Sequence, residues 1–394
     1  MIKLLISAIA LALVARPILS QSQLTFPAIV SENINNIFDI QVPSYIQDNI
    51  LSISGEKMVV KPVQITFNDH PIAVKSCKTR GNTTLQYRRK SFSLSLHDPI
   101  TIKKVQVRKL AINNLAMDQN YWRARICFLL MKAVDIFPLC NQYTELHLNG
   151  QTQGTYLMIQ KPEDYCRSLG VNLLVRRESG GRIAIEYSNG TEKKKFVKVL
   201  KSCRTLNKTL EGVQLFDSLS QIINLRQYYK WLAFNYLIMN GDYEDELFLF
   251  LNPETNRFDI IPWDYDDVFA AQPHEGLKKR NQKLGDQLLF SSEANFDLSI
   301  GKDDYLYSKY LEKFLEVVNI LTPEVLKEAF EQTYQELHPY YMDPAIIAQS
   351  EYDHSGLTNI NILQDDLDKH YQFIVRRRST IKTTLAIDHD LITQ

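Results

Sequence analysis

Two aspartates stand at the ends of one short stretch: Asp242 in Asn240-Gly241-Asp242, and Asp264 in Pro262-Trp263-Asp264-Tyr265-Asp266-Asp267. Between them, Leu247-Phe248-Leu249-Phe250-Leu251 reads as a buried strand. Asn252-Pro253-Glu254-Thr255-Asn256 reads as a turn, and Phe258-Asp259-Ile260-Ile261 as the returning strand. A tight hairpin brings its ends together, so both carboxylates can face one cavity. Crowded carboxylates repel one another, and a cation relieves that repulsion. Hard divalent ions prefer oxygen ligands and keep substrate phosphates as partners. One carboxylate could then hold the metal while another accepts a hydroxyl proton, the division of labour of phosphoryl transfer. Asp266 and Asp267 add negative charge. Aspartates at turns also cap local backbone, a reading that stays open here. The spacing is not that of a calcium-binding EF-hand loop.

Cations that suit a phosphate lie elsewhere. Arg80-Gly81-Asn82-Thr83-Thr84 is followed by Arg88-Arg89-Lys90-Ser91, four cations within eleven residues ahead of an alternating strand. A solvated basic hairpin explains them too. Arg176-Arg177-Glu178 follows the apolar run Val171 to Val175 and could reach a phosphate from a strand end, or form a surface ion pair. Trp122-Arg123-Ala124-Arg125 sits on a helix, where one Arg could pair with an acid of the site. His147 and His274 have no partner pattern and read as structural or exposed.

The elements that must position these residues change character along the chain. Val59 to Phe67 reads as a strand, and Phe92-Ser93-Leu94-Ser95-Leu96 as a half-buried one. A helix is expected over 118–134 with Asp118 as its N-cap. Thr144 to Leu148 and Gly154 to Ile159 form a hairpin around Asn149-Gly150. Residues 186–204 read as a charged, exposed excursion. A helix runs from Leu225 to about Met239, and others are expected near 304–319, 323–338 and 358–385. The order is a β-rich first half and an α-rich second half.

The chain has 394 residues with 45 basic against 45 acidic side chains. That balance argues against a global pull toward nucleic acid or anionic membrane, and no nucleic-acid partner is expected. Lys3, the apolar run Leu4 to Val14 and the polar residues from Ser20 have the form of a secretory signal peptide over 1–20. A secreted, periplasmic or cell-surface location is expected, with no transmembrane segment in the mature chain. The five cysteines form no CxxC pair; most should be buried, with one bridge conceivable.

Several of these segments together resemble the spore coat protein H (CotH) kinase family, an atypical relative of the protein kinases. They are Arg80-Gly81-Asn82 with Lys90-Ser91-Phe92, Leu110-Ala111-Ile112-Asn113-Asn114 with Asp118 and Arg123, Leu148-Asn149-Gly150 with Gly154-Thr155-Tyr156, Asn240-Gly241-Asp242, and Ile261-Pro262-Trp263-Asp264-Tyr265-Asp266. The resemblance implies an α+β, two-lobed kinase-like fold, with a β-rich N-terminal lobe over 24–215 and an α-rich C-terminal lobe over 216–394. It implies ATP and Mg2+ or Mn2+ between the lobes, and transfer of the γ-phosphate to Ser or Thr of a protein substrate. Asp242 then looks like the catalytic aspartate. Asp264 looks like the metal-holding one, with Asp266 as helper. Arg80, Lys90 and Arg176 look like phosphate-facing cations. Gln160 stands where relatives often carry Glu, and Leu247 where many carry a metal-binding Asn; Glu246, one residue earlier, is the substitute ligand. The alternative is a pseudokinase that serves as a coat, cell-surface or adhesion protein.

Overall fold

The computed structural model describes residues 23–27, 36–179, 182–190, 193–354 and 356–392. The expected signal segment, 1–20, lies outside the described residues. Elements follow in the order β1 (Ile37–Gln41), α1 (Ser44–Leu51), β2 (Gln64–Phe67), β3 (His70–Ile72), β4 (Val74–Arg80), β5 (Ser91–Ile102) and β6 (Val105–Asn113). Next come α2 (Arg123–Ala133), β7 (Asn141–Leu148), β8 (Gln151–Gln160), α3 (Pro162–Ser168), β9 (Leu173–Glu178), β10 (Arg182–Ser188), α4 (Lys193–Thr209), α5 (Gly212–Ser220) and α6 (Leu225–Ile238). The chain closes with β11 (Leu247–Leu251), β12 (Phe258–Pro262), α7 (Leu277–Leu284), α8 (Asn295–Lys302), α9 (Asp304–Ile320), α10 (Pro323–Met342), α11 (Pro344–Ala348) and α12 (Ile360–Ile392).

Alternation builds the first sheet. Phe92, Leu94 and Leu96 of β5 are buried and join Leu110 and Ile112 of β6 and Met158 of β8 in one core. Eight strands pair in the order β3-β2-β1-β7-β8-β6-β5-β4. The β7–β8 hairpin turns at Asn149 (φ 52°) and Gly150 (φ 74°), the positive-φ pair that a two-residue hairpin turn needs. Of the strand expected over 59–67 only Gln64–Phe67 forms, because the preceding Pro62 has no N–H to give a ladder.

The second sheet has the order β10-β9-β11-β12. Its β11 reads LFLFL and is buried throughout, as a strand covered on both faces must be. β9 pairs antiparallel with β11, Arg176 opposite Phe248 and Arg177 opposite Leu247. β9 is therefore bonded to the acidic hairpin, although its residues 173–178 precede the lobe boundary expected at 215. The excursion expected over 186–204 is instead the end of β10 and most of α4. The helix's apolar residues Phe196, Leu200, Cys203 and Leu206 recur at helical spacing, within a run dense in charge.

Helix α6 lies at the centre of the larger core: Tyr228, Tyr229, Trp231, Leu232, Phe234 and Leu237 are all buried. Asn224 caps its start, accepting from Gln227 N at 3.3 Å. It stops at Met239, whose left-handed backbone (φ 52°) turns the chain out of the helix. Arg377 of α12 seals that end: its Nη2 donates to Tyr236 O at 2.7 Å and its Nε to Leu237 O at 3.0 Å, a cation placed at the negative end of the helix dipole.

All five cysteines are free thiols and four are buried. Among the described residues no helix is long and apolar enough to cross a membrane.

Candidate active site

The hairpin β11–β12 does what its sequence suggests. Leu247 pairs with Pro262, and Trp263 N adds one more bond to Glu246 O at 3.0 Å. The segments carrying Asp242 and Asp264 thus leave the same end of one ladder. Asp264 then adopts φ 50°, a left-handed turn that Asp tolerates better than most residues.

Hydrogen bonds lock the two segments together. Gly241 N donates to Asp267 O at 2.8 Å. A Cβ on Gly241 would sit 2.2 Å from Asp267 Oδ2 and 3.0 Å from Ala270 Cβ, so only glycine allows this approach. Asn240 Oδ1 accepts from Asp242 N at 3.2 Å, and Asn240 Nδ2 donates to Asn235 Oδ1 at 3.1 Å. Tyr265 OH donates to Asn235 Oδ1 at 3.2 Å while Trp231 Nε1 donates to Tyr265 OH at 3.0 Å. The side chains that aim both aspartates are therefore buried amide, phenol and indole groups of α6 and the second turn.

The electrostatics are those of an acidic cleft. Asp264 is exposed inside the cleft while protein atoms enclose it elsewhere. That enclosure raises its pKa, against the pull of Arg80 and Arg176. The Asp264 charge is the main reason the Asp266 pKa lies well above the ordinary carboxylate value. Desolvation raises Asp242, with Asp245, Asp264 and Asp267 adding to it and His274 opposing. Desolvation and Asp264 push Glu246 up to about 8, although Arg176 Nη2 holds both its carboxylate oxygens at 3.0 Å. Burial lifts Asp118, which accepts from Arg123 N and Ala124 N at 3.0 Å, to about 7. It does the work expected of a cap at the start of α2.

These shifts share one sign. A folded-state carboxyl pKa above the unfolded value means that the folded form holds the proton more tightly. The stability gained is present at low pH and is lost as pH rises through the window, here from about 4.5 to about 8 for Glu246. Melting of the ligand-free protein should therefore occur at a lower temperature at pH 8.5 than at pH 6. The loss should be on the order of 1–2 kcal/mol, and Glu246→Gln should flatten part of the slope in a calorimetric pH series.

Of the expected cations, Arg80 and Arg176 reach the acids. Arg80 lies over the Trp263 ring at 5.5 Å and donates to Asn113 Oδ1 at 2.6 Å. Both face Asp264 electrostatically. Lys90 does not join them, contrary to the sequence reading. Its Nζ is buried and donates to Ser52 O at 2.6 Å, Leu85 O at 2.7 Å and Tyr87 O at 2.5 Å. Three carbonyls use all three donors of an ammonium group. Lys90→Met should lower stability by about 1–3 kcal/mol in a denaturant melt. Arg88 stacks on Tyr352 at 4.5 Å, and Arg89 is buried in an ion pair with Asp353. Arg125 forks onto Glu336 at 2.7 Å.

The sequence reading missed His274. Its Nε2 lies 3.1 Å from Asp267 Oδ2 and its Nδ1 3.6 Å from Asp242 Oδ1. It bridges the two acidic segments at the mouth of the cleft. No periodicity or motif marks a loop histidine seven residues past an aspartate.

Among the described residues no three His, Cys, Asp or Glu side chains stand together as a ready-made metal cage. A divalent ion of the Mg2+ type needs only one or two carboxylates, with water and phosphate completing its shell. The Asp264–Asp266 pair, in which the Asp264 charge raises the proton affinity of Asp266, fits that donor set. A narrow cavity beside it is lined by Arg80, Gly81, Thr84, Asn113, Asp264 and Asp266.

The chain is similar to several known proteins. Over 298 residues the chain is 21% identical to the inner spore coat protein H of Bacillus subtilis, covering 67% of this chain and 77% of that protein. Among solved structures, the Helicobacter pylori proinflammatory kinase CtkA is 7% identical, with a TM-score of 0.26 over 71% of this chain and 94% of that one. The Shewanella oneidensis HipA chain, solved with HipB and operator DNA, is 13% identical, with a TM-score of 0.29 over 65% of this chain and 60% of that one. The family model described as CotH kinase protein matches residues 77–381, which include every acidic and basic side chain of the cleft. The chain belongs to the CotH kinase protein family.

Proposed function

We propose that this protein is an exported protein kinase that transfers the γ-phosphate of ATP to a Ser or Thr hydroxyl of a protein substrate. The observation that carries the reading is the pair of facing segments, Asn240-Gly241-Asp242 and Trp263-Asp264-Tyr265-Asp266, joined by the Gly241 N to Asp267 O bond opposite Arg80 and Arg176. In this reading Asp242 accepts the hydroxyl proton as the acceptor oxygen bonds to phosphorus and the bond to ADP breaks. Its raised pKa makes it a stronger base than an ordinary carboxylate. Asp264 and Asp266 hold Mg2+ or Mn2+, with Glu246 in reserve behind Arg176. The metal neutralises the charge of the phosphate oxygens during transfer. Arg80 and Arg176 hold the same oxygens from the other side. Arg176 then serves phosphate only by loosening its fork on Glu246.

That fork supports a second reading, a non-catalytic coat or cell-surface protein in which the cleft is closed by its own ion pair. A thermal melt with ATP and Mg2+ or Mn2+ separates the two. Nucleotide at about 100 times its Kd should add about 2.7 kcal/mol of stability, and γ-labelled ATP should label the protein itself. No stabilisation and no label would leave the non-catalytic reading.

A further inference from the structure

Helix α4 carries Lys193, Lys194, Lys195, Lys198, Lys201, Arg204 and Lys208. It holds seven of the chain's 45 cations and, within Lys193–Thr209, none of its 45 acids. One face packs inward through Leu200 and Cys203, with Phe196 and Leu206 beside them. Lys194, Lys198, Lys201 and Lys208 recur at three-, four- and seven-residue spacing, which places them on one stripe of a helix turned away from that face. All four are exposed, and none forms an ion pair with a described residue. A run of like charge destabilises an isolated helix, and the cleft chemistry gives this one no task.

We infer that α4 is a docking surface for an acidic segment of the protein substrate, a statement that rests on the kinase reading above for the word substrate. Charge complementarity selects the occupant. From Lys194 to Lys208 the stripe is about 21 Å long at 1.5 Å per residue, the length of about six residues of extended peptide. Lys194 and Lys198 are about 6 Å apart along the axis, close to the repeat of every second side chain in a strand. Outside α4 the chain holds 45 acids against 38 cations, a net negative charge that opposes such a segment over the rest of the molecule. A single-stranded nucleic acid would want aromatic faces to stack on, and the exposed residues of the stripe include none. A membrane surface would want exposed large apolar groups beside the lysines; Val199 alone is exposed on α4, at 37%. The helix also follows directly from β10, whose Glu186 is felt by Lys161, itself a neighbour of Arg80. The surface thus lies on the segment that leads away from the cleft.

The test is fluorescence anisotropy of a labelled decaglutamate peptide with the full chain at low salt. Binding is expected, with at least a tenfold rise in Kd for the variant K194E/K198E/K201E/K208E and a similar rise at high salt. Self-labelling from ATP should be unchanged in that variant and the melting temperature should not fall, which separates docking from catalysis and from unfolding. Equal binding by the variant and the parent would overturn the inference. So would tighter binding of a decathymidylate oligonucleotide or of phosphatidylglycerol vesicles, or no binding of the peptide at all. Peptide binding that depends on α4 in a chain that takes no label from ATP would leave the docking surface standing and remove the kinase reading.

Discussion

Asp242→Asn and Asp264→Asn should each lower phosphate transfer by at least about a hundredfold while the melting temperature holds or rises. The two losses have different causes. Asn at 242 keeps the shape and the bond from its own N–H to Asn240 Oδ1, but an amide cannot take the acceptor's proton. General-base assistance of this kind contributes about a hundred- to ten-thousandfold. Asn at 264 removes the charge that draws a divalent ion between Asp264 and Asp266, so nucleotide should bind weakly as well. Single-turnover labelling at saturating ATP separates them: Asp242→Asn should lose the chemical step with the apparent affinity for ATP intact, and Asp264→Asn should lose both. Stability should not fall, because each substitution removes a charge that burial disfavours first and neighbouring carboxylates second. Labelling at the parent rate in both variants would remove the mechanism.

The largest loss of stability is expected at a residue outside the acidic cluster, with Asp353→Ala. Arg89 is 1% exposed. It donates through Nε to Gln153 O at 2.6 Å, through Nη2 to Thr155 O at 2.5 Å and through Nη1 to Tyr121 OH at 3.2 Å. Its only countercharge among the described residues is Asp353, which also accepts from Tyr121 OH at 2.5 Å. Alanine at 353 would leave a guanidinium buried without an anion, at a cost of about 3–5 kcal/mol. Replacing both partners by apolar groups of similar size, Arg89→Met with Asp353→Leu, should recover most of that loss. A chemical melt of the three proteins checks the cycle. A double variant as unstable as Asp353→Ala would mean that the groove between β8 and α11, and not the charge pair, is what matters there.

The acidic hairpin was legible because every signal in it is local. A continuous apolar strand, an Asn-Pro turn and a second strand fix the ladder, and the ladder alone brings residues 242 and 264 to one end. The β5 strand and the Asn149-Gly150 turn were legible for the same reason. The basic run Arg88-Arg89-Lys90 was not. Sequence shows three charges in a row, whereas their fates are set by Tyr352, by Asp353 and by the carbonyls of residues 52, 85 and 87. A guanidinium that meets its acid 264 residues later carries no local mark of it. Helix α4 carries helical spacing at Phe196, Leu200, Cys203 and Leu206, and it was read as an excursion because seven of its seventeen residues are cations. His274 and Arg377 act across loops and helices that only the folded chain brings together.

The guanidinium that closes α6 comes from residue 377, 140 residues after the Leu237 carbonyl that it caps. A growing chain on the ribosome thus has its acidic turn long before it has the group that fixes the carbonyls leading into that turn. The aspartates acquire their final setting only once α12 has been made and has docked on α6.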